Sequence, residues 1–193
     1  MQTFSKVYDS YAQAERAVQD LETAGVPSND ISMVANKYVS DEYANVDDVS
    51  ATASGAGIGA AVGGGAGLLT GLGLLAIPGL GPVVAAGWLA TTALGAVAGS
   101  ATGGIIGALI DVGTPEADAH VYSEAVRRGG TLVTVRTDHA TDRIDSILGR
   151  QRPIDPVLRR AEYEQAGWKN FDPKAPAYKP DQAEIERMRK KYG

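Results

Sequence analysis

A stretch without any charged side chain, residues 49–110, constrains the fold more than any other feature of the chain. It contains most of the protein's 24 glycines, and two groups of them recur every four residues. Residues four apart lie on one side of an α-helix, so each group predicts a helix with a groove of small residues. Glycine destabilises a helix by about 1 kcal/mol relative to alanine. Such helices therefore need close packing against another helix in apolar surroundings.

The two glycine series are separated by the sequence IPGLGP at 77–82, which cannot continue a helix. We therefore predict a helix, a tight reversal and a second helix, which together form a glycine-zippered apolar hairpin. Reversing the chain about Gly79 brings small residues opposite small residues, for example Gly59 opposite Gly99. The predicted helix-packing positions are Gly55, Gly59, Gly63, Gly67, Gly71, Gly87, Gly95, Gly99, Gly103 and Gly107.

The segments on either side of this stretch have the patterns of short strands and amphipathic helices. Ser10 is placed to cap the first helix, and Thr114 and Pro115 are placed to start the helix that follows the hairpin. A β-α-β unit of this kind has parallel strands. The predicted strands are 3–8, 31–35 and 131–135, and the predicted helices are 11–24, 114–128 and 140–148.

The composition changes after Arg150, where apolar runs end and charges of both signs are mixed. We predict an extended C-terminal arm that ends in a helix at 181–191. Its isolated aromatic residues, Trp168, Phe171 and Tyr178, are the predicted anchors, which dock on the chain's own domain or on a neighbour.

These patterns predict an α+β fold, in which a small α/β sandwich of the form β-α-β … α-β-α is interrupted by the helical hairpin. The predicted divisions are residues 1–48 and 114–149 for the two halves of the α/β domain, 49–113 for the hairpin and 150–193 for the arm.

A search for catalytic chemistry identifies no catalytic, cofactor-binding or metal-binding residues. The absence of cysteine excludes thiolate chemistry, and the net charge of −5 argues against nucleic-acid binding. The sequence GAGIGA at 55–60 lacks the preceding strand of a dinucleotide site. His120, on a predicted helix with Glu116 and Glu124, is interpreted as part of a solvated helix face.

Several segments together resemble one bacterial family. They are Val7 to Asp9 with Ala14 to Ala17, Ile31 to Ala35, the turn Ile77 to Val83, Ala85 to Ala90, and Arg127 to Val133. Residues 3–137 are similar to the bacterial heat-induced general stress protein domain, and the segment 167–178 looks like a tail found in some members. The resemblance implies an association with stress and implies no catalytic residues.

The surroundings of the apolar hairpin decide the function. A hairpin exposed on a monomer would present far more apolar surface than soluble monomers tolerate. We therefore expect a non-enzymatic, stress-associated protein that embeds the hairpin in membrane lipid, assembles with copies of itself, or does both. The alternative is a soluble homo-oligomeric scaffold whose arm binds a neighbouring subunit or a partner protein. The expected location is the cytoplasmic side of the inner membrane, with the cytoplasm as the alternative.

Overall fold

The structure is a computed structural model that describes residues 2–36, 73–77, 80–89, 104–138 and 141–175. Strands β1 to β5 and helices α1 to α5 are numbered here along the described chain. The strands are β1 (Gln2–Tyr8), β2 (Ile31–Asn36), β3 (Gly73–Ile77), β4 (Gly81–Ala86) and β5 (Thr131–Thr137). The helices are α1 (Tyr11–Thr23), α2 (Ile105–Asp111), α3 (Glu116–Arg127), α4 (Thr141–Arg150) and α5 (Pro156–Gln165), with a 3-10 turn at Ser28–Asp30.

The five strands form one sheet in the order β1-β5-β2-β4-β3, and every neighbouring pair is antiparallel. Strands β1 and β2 both run antiparallel to β5, so they are parallel to each other, as the β-α-β pattern predicts. They are not neighbours, because β5 lies between them. The α+β class is confirmed.

Helices cover both faces of the sheet. Successive side chains on a strand point to opposite faces, so neighbouring residues of one strand join different core clusters. On β1, Val7 joins the core cluster that contains the buried residues of α2 and α3, whereas Tyr8 joins the cluster that contains those of α1 and α4. Leu132 and Val133 divide in the same way on β5. Helix α1 presents an apolar stripe of Ala14, Ala17, Val18 and Leu21 to the sheet, and Ser10 and Gln13 form a capping box at its start.

The predicted helical hairpin is wrong at residues 73–86, where the chain forms the β-hairpin of β3 and β4. Gly73 pairs with Ala85 and Ile77 pairs with Gly81, so the chain reverses about Gly79, as predicted, but as a strand ladder. The reason lies in the local sequence. GLLAI and GPVVAA are short apolar runs bounded by glycine and proline, which is the pattern of buried strands.

The segment 49–113, which the sequence predicts to be an insertion, therefore contributes to the α/β domain itself. It supplies two strands of the sheet, and its residues Leu80, Val83 and Leu89 are fully buried. Helix α2 lies within the same segment, packs on α3 and buries Ile105 to Leu109. The interpretation of 49–113 as an excursion that leaves the sheet complete is wrong.

The arm also departs from its prediction, because α5 forms where an extended chain is predicted. Asp155 caps this helix by accepting hydrogen bonds from the N–H groups of Val157 and Leu158, and Pro156 occupies the first helical position. The predicted helix at 181–191 lies outside the described residues.

Candidate functional site

The two glycine-rich segments join the domain at the same end of the sheet. We call this end the base; β3 begins there at Gly73 and β4 ends there at Ala86. Gly73 pairs with Ala85, and the described chain continues past Ala86 to Leu89. The charge-free sequence before residue 73 and that after residue 89 are therefore attached side by side.

The chain leaves β4 in a fixed conformation. Gly87 has a φ of +85°, and a Cβ at this position would lie 2.8 Å from the Cα of Ser32. The buried hydroxyl of Ser32 accepts a hydrogen bond of 2.9 Å from the N–H of Leu89. A left-handed glycine with no space for a side chain thus lets the chain cross β2 closely. Gly87 lies in a bend and not on a helix, so its predicted position in the helical stripe is wrong.

A cation–π contact adds to this crossing. The guanidinium of Arg136 lies 4.6 Å from the ring centroid of Trp88. The same guanidinium reaches the 3-10 turn, where it donates to the C=O of Asn29 at 3.1 Å and to the carboxylate of Asp30 at 3.3 Å. These contacts at the base of the sheet therefore hold the chain in place just before the segment that follows Leu89.

Among the predicted helix-packing glycines, Gly87 and Gly107 lie in the described part of the chain. Gly107 lies on α2, is buried, and belongs to the helix that packs on α3. The remaining predicted positions, Gly55, Gly59, Gly63, Gly67, Gly71, Gly95, Gly99 and Gly103, lie outside the described residues.

Two of the predicted arm anchors contact the chain's own domain. Phe171 is 4% exposed and Trp168 packs against the same core cluster, which contains the buried residues of α2 and α3. The N–H of Ile154 donates to the C=O of Val7 on β1 at 2.7 Å. The first half of the arm is therefore bound to its own domain. Tyr178 lies outside the described residues.

A charged cluster joins the arm to α3, and sequence reasoning missed it. Glu124 is 1% exposed and accepts hydrogen bonds of 2.6 Å from both Arg127 and Arg128. Arg128 also lies over the ring of Tyr163 on α5, and Arg159 pairs with Asp9 at 2.9 Å. The signal for the first part is the spacing of glutamate with arginines three and four residues later on one helix.

The interpretation of Glu124 as part of a solvated face is wrong, because its carboxylate is buried against two guanidinium groups. Within the described ranges, no group of three or more histidine and acidic side chains is arranged to hold a metal ion. His139 lies outside these ranges.

The described helices have between 7 and 13 residues each. None of those in residues 2–36, 73–77, 80–89, 104–138 and 141–175 combines the length and apolarity needed to cross a bilayer.

Comparisons of the chain with protein-family models, with curated proteins and with solved structures find no match.

Proposed function

We propose that this protein is a non-enzymatic assembly protein, in which the charge-free segments 49–72 and 90–103 act as one apolar unit that packs against copies of itself. The observation that carries the proposal is the position of Gly73 and Leu89 at one end of the sheet. Two separate apolar segments that start side by side can bury their surfaces against each other and against a second copy.

The glycine spacing supports close packing in this unit. Within this unit the two series recur every four residues over 55–71 and 95–103. Small residues at this spacing let backbones approach closely, and the contact area compensates for the low helix propensity of glycine. The absence of charge over both segments means that their burial needs no ion pairing.

The strands favour assembly over a pair of membrane-spanning helices. A helix needs about 20 apolar residues to cross a bilayer, and strands β3 and β4 occupy the middle of the charge-free stretch. The segment 90–103 alone is too short for a crossing. Asn36 and Gly73 both belong to one sheet, so a membrane-spanning chain between them would have to cross the bilayer twice. Two crossings need about 40 apolar residues, which is more than the charge-free segment 49–72 contains.

Attachment to a membrane surface is the second candidate, supported by the charge-free sequence itself. The arm offers a third contact, with a neighbouring subunit or a partner protein. Because Trp168 and Phe171 pack on their own domain, such a contact would fall to the arm's exposed surface, which includes Val157 and Leu158, and to residues 176–193. The association with stress belongs to the proposal as well and rests on the resemblance over 3–137. The location at the cytoplasmic side of the inner membrane goes with the second candidate, and the cytoplasm goes with a soluble assembly.

The test is the mass of the full-length protein without detergent, measured by light scattering. We expect a homo-oligomer for the natural sequence and a smaller species for Gly59→Glu and Gly99→Glu, which each place a charge in the apolar unit. Gly149→Glu is the matched control. Its position on α4 has open space around a new Cβ, so the added charge should leave the mass unchanged.

Two results would contradict assembly. One is a monomer for the natural sequence without detergent, and the other is an unchanged mass for both glutamate variants. Sedimentation with lipid vesicles tests the second candidate. A monomer that binds vesicles, and no longer binds them after Gly59→Glu, would favour attachment to a membrane surface. Protein levels before and after a heat shift test the association with stress.

A further inference from the structure

The outer edge of β1 has backbone groups that no described strand pairs with. Strand β1 lies at one end of the sheet, so β5 is its neighbour on one side only. The C=O of Val7 accepts a hydrogen bond from Ile154 in the arm and therefore points away from β5. Backbone direction alternates along a strand, so the N–H and C=O groups of Thr3 and Ser5 point outward as well.

A shallow open cleft follows this edge. Four consecutive β1 residues, from Thr3 to Lys6, line it together with the loop Gly113–Pro115 and with Asp118 and Tyr122 of α3. The hydroxyl of Thr114 donates to that of Ser5 at 3.3 Å, which holds the loop beside the strand. The arm covers the edge of β1 at Val7, toward the end away from the base. The part of the edge that remains open has the length of a short extended segment.

We propose that this edge pairs antiparallel with the same edge of a second copy, with the two-fold axis at Phe4. Thr3 of each copy then faces Ser5 of the other, and each such pair exchanges two N–H to C=O hydrogen bonds. All four outward groups of Thr3 and Ser5 are used. The product is a continuous ten-stranded sheet with the two β1 strands at its centre.

The neighbouring symmetric registers are less favourable. An axis at Ser5 would bring Thr3 of the second copy opposite Val7, whose carbonyl is already bound by Ile154. An axis at Thr3 would place Phe4 opposite Gln2, so the two Phe4 rings would not cover each other. The axis at Phe4 also places Lys6 opposite Gln2, so the two lysines do not face each other.

The side chain of Phe4 supports the same partner. It is half-buried and packs at the margin of the cluster that contains α1 and α4. In the proposed register the two Phe4 rings face each other across the axis, where their exposed parts cover one another. The contact is closed, because each copy uses the same surface.

This dimer is independent of the apolar unit in the proposed function. The two-fold axis reverses strand direction, so the bases of the two sheets lie at opposite ends of the dimer. The charge-free segments of the two copies would then point in opposite directions, and each dimer could join two apolar assemblies.

Cysteine cross-linking of the full chain tests the register, since the natural sequence contains no cysteine. Opposed residues in this kind of pair have Cα atoms about 4.5 Å apart, within the range of about 4.4–6.8 Å that disulfides span. On oxidation we expect a disulfide dimer from Phe4→Cys, and from a mixture of Gln2→Cys and Lys6→Cys. Lys6→Cys alone is the matched control and should remain largely unlinked, because its two copies lie four residues apart along the strands.

A second variant tests the backbone pairing directly. Ser5→Pro in the Phe4→Cys background removes an outward N–H and leaves the ladder with β5 intact, as proline does on edge strands. We expect cross-linking to be about tenfold slower than in Ser5→Ala, which also loses the hydroxyl but keeps the N–H, because two intermolecular hydrogen bonds are lost. Should Ser5→Pro unfold the protein, the mixture of Gln2→Cys and Lys6→Cys decides alone.

The proposal is overturned if Phe4→Cys forms no dimer, if Lys6→Cys links as fast as Phe4→Cys, or if a folded Ser5→Pro variant links at the normal rate. Adding Gly59→Glu to the Phe4→Cys protein separates the two proposals. A cross-linked dimer that persists while larger species disappear supports both proposals. Loss of the cross-link together with the larger species would overturn the claim that this contact is independent of the apolar unit.

Discussion

The guanidinium of Arg128 on α3 lies 4.5 Å from the centre of the Tyr163 ring on α5. Arg159 lies 5.8 Å from the same ring, and Trp168 meets it edge-on at 5.6 Å. Tyr163 is 6% exposed, so these contacts are largely shielded from water. The ring is the centre of the contact that holds the arm on the domain.

Replacement of this ring should release the arm. We expect Tyr163→Ala to lower the free energy of unfolding by about 3 kcal/mol, as loss of a buried aromatic side chain does. Trp168→Ala should act in the same direction by a smaller amount, because Trp168 is only partly buried. Tyr163→Phe keeps the ring and is the control. Limited proteolysis should cut the arm faster in both alanine variants, and equal cleavage rates would contradict an anchoring role.

Loss of the Glu124 carboxylate should destabilise the domain, because two guanidinium groups would lose a buried partner. Removing one member of a buried ion pair costs about 3–5 kcal/mol. Arg128 is 36% exposed and water can solvate it, so we expect the lower end of this range for Glu124→Ala. Glu164→Ala, at an exposed position on α5, is the control and should change stability by less than about 0.5 kcal/mol. Urea unfolding measures both, and similar midpoints would argue that the cluster is energetically unimportant.

Much of the α/β framework could be predicted from the sequence, because β1, α1, β2, α3, β5 and α4 each have a clear period and short turns. The β3–β4 hairpin could not, because the prediction of helices from the glycine spacing on either side of it was applied to residues 73–86 as well. The spacing itself gives no support for a helix there, since neither four-residue series includes a glycine between Gly71 and Gly87. The burial of Glu124 was missed because it depends on the tertiary packing around α3, including the contact with α5, which is distant in sequence.

The left-handed conformation of Gly87 should make it intolerant of substitution. Gly87→Ala places a side chain at φ +85° and within 2.8 Å of a backbone atom of β2. Strain of the backbone alone costs about 1–3 kcal/mol, and the close contact adds to it. Gly25→Ala provides a matched control, because Gly25 has a φ of +89° and open space around a new Cβ. We expect a clearly lower melting temperature for Gly87→Ala than for Gly25→Ala, and equal values would mean that the crossing over Ser32 is not tight.

The buried tyrosines predict unfolding at alkaline pH. Burial raises the pKa of Tyr11 and of Tyr122 from 10 to about 12. These groups are neutral in the folded state, so their contribution to stability is present below pH 10 and is lost as the pH rises from 10 to 12. Stability measured by chemical denaturation should fall through this window. Tyr122→Phe, which removes one titrating hydroxyl, should flatten the fall, and an unchanged slope would remove Tyr122 from the explanation.

Two deletions distinguish the part of the charge-free stretch that belongs to the domain. Deleting 54–109 removes β3, β4 and most of α2, including the buried residues Leu80 and Leu89, so we expect an unfolded protein. Replacing only 53–70 with a flexible linker keeps all five strands. The remaining connection is long enough, because residues 37–52 can span the roughly 20 Å length of a six-residue strand. Circular dichroism and cooperative thermal unfolding measure the outcome. A folded product of the first deletion would show that the β3–β4 hairpin is dispensable, whereas an unfolded product of the second would extend the core into 53–70.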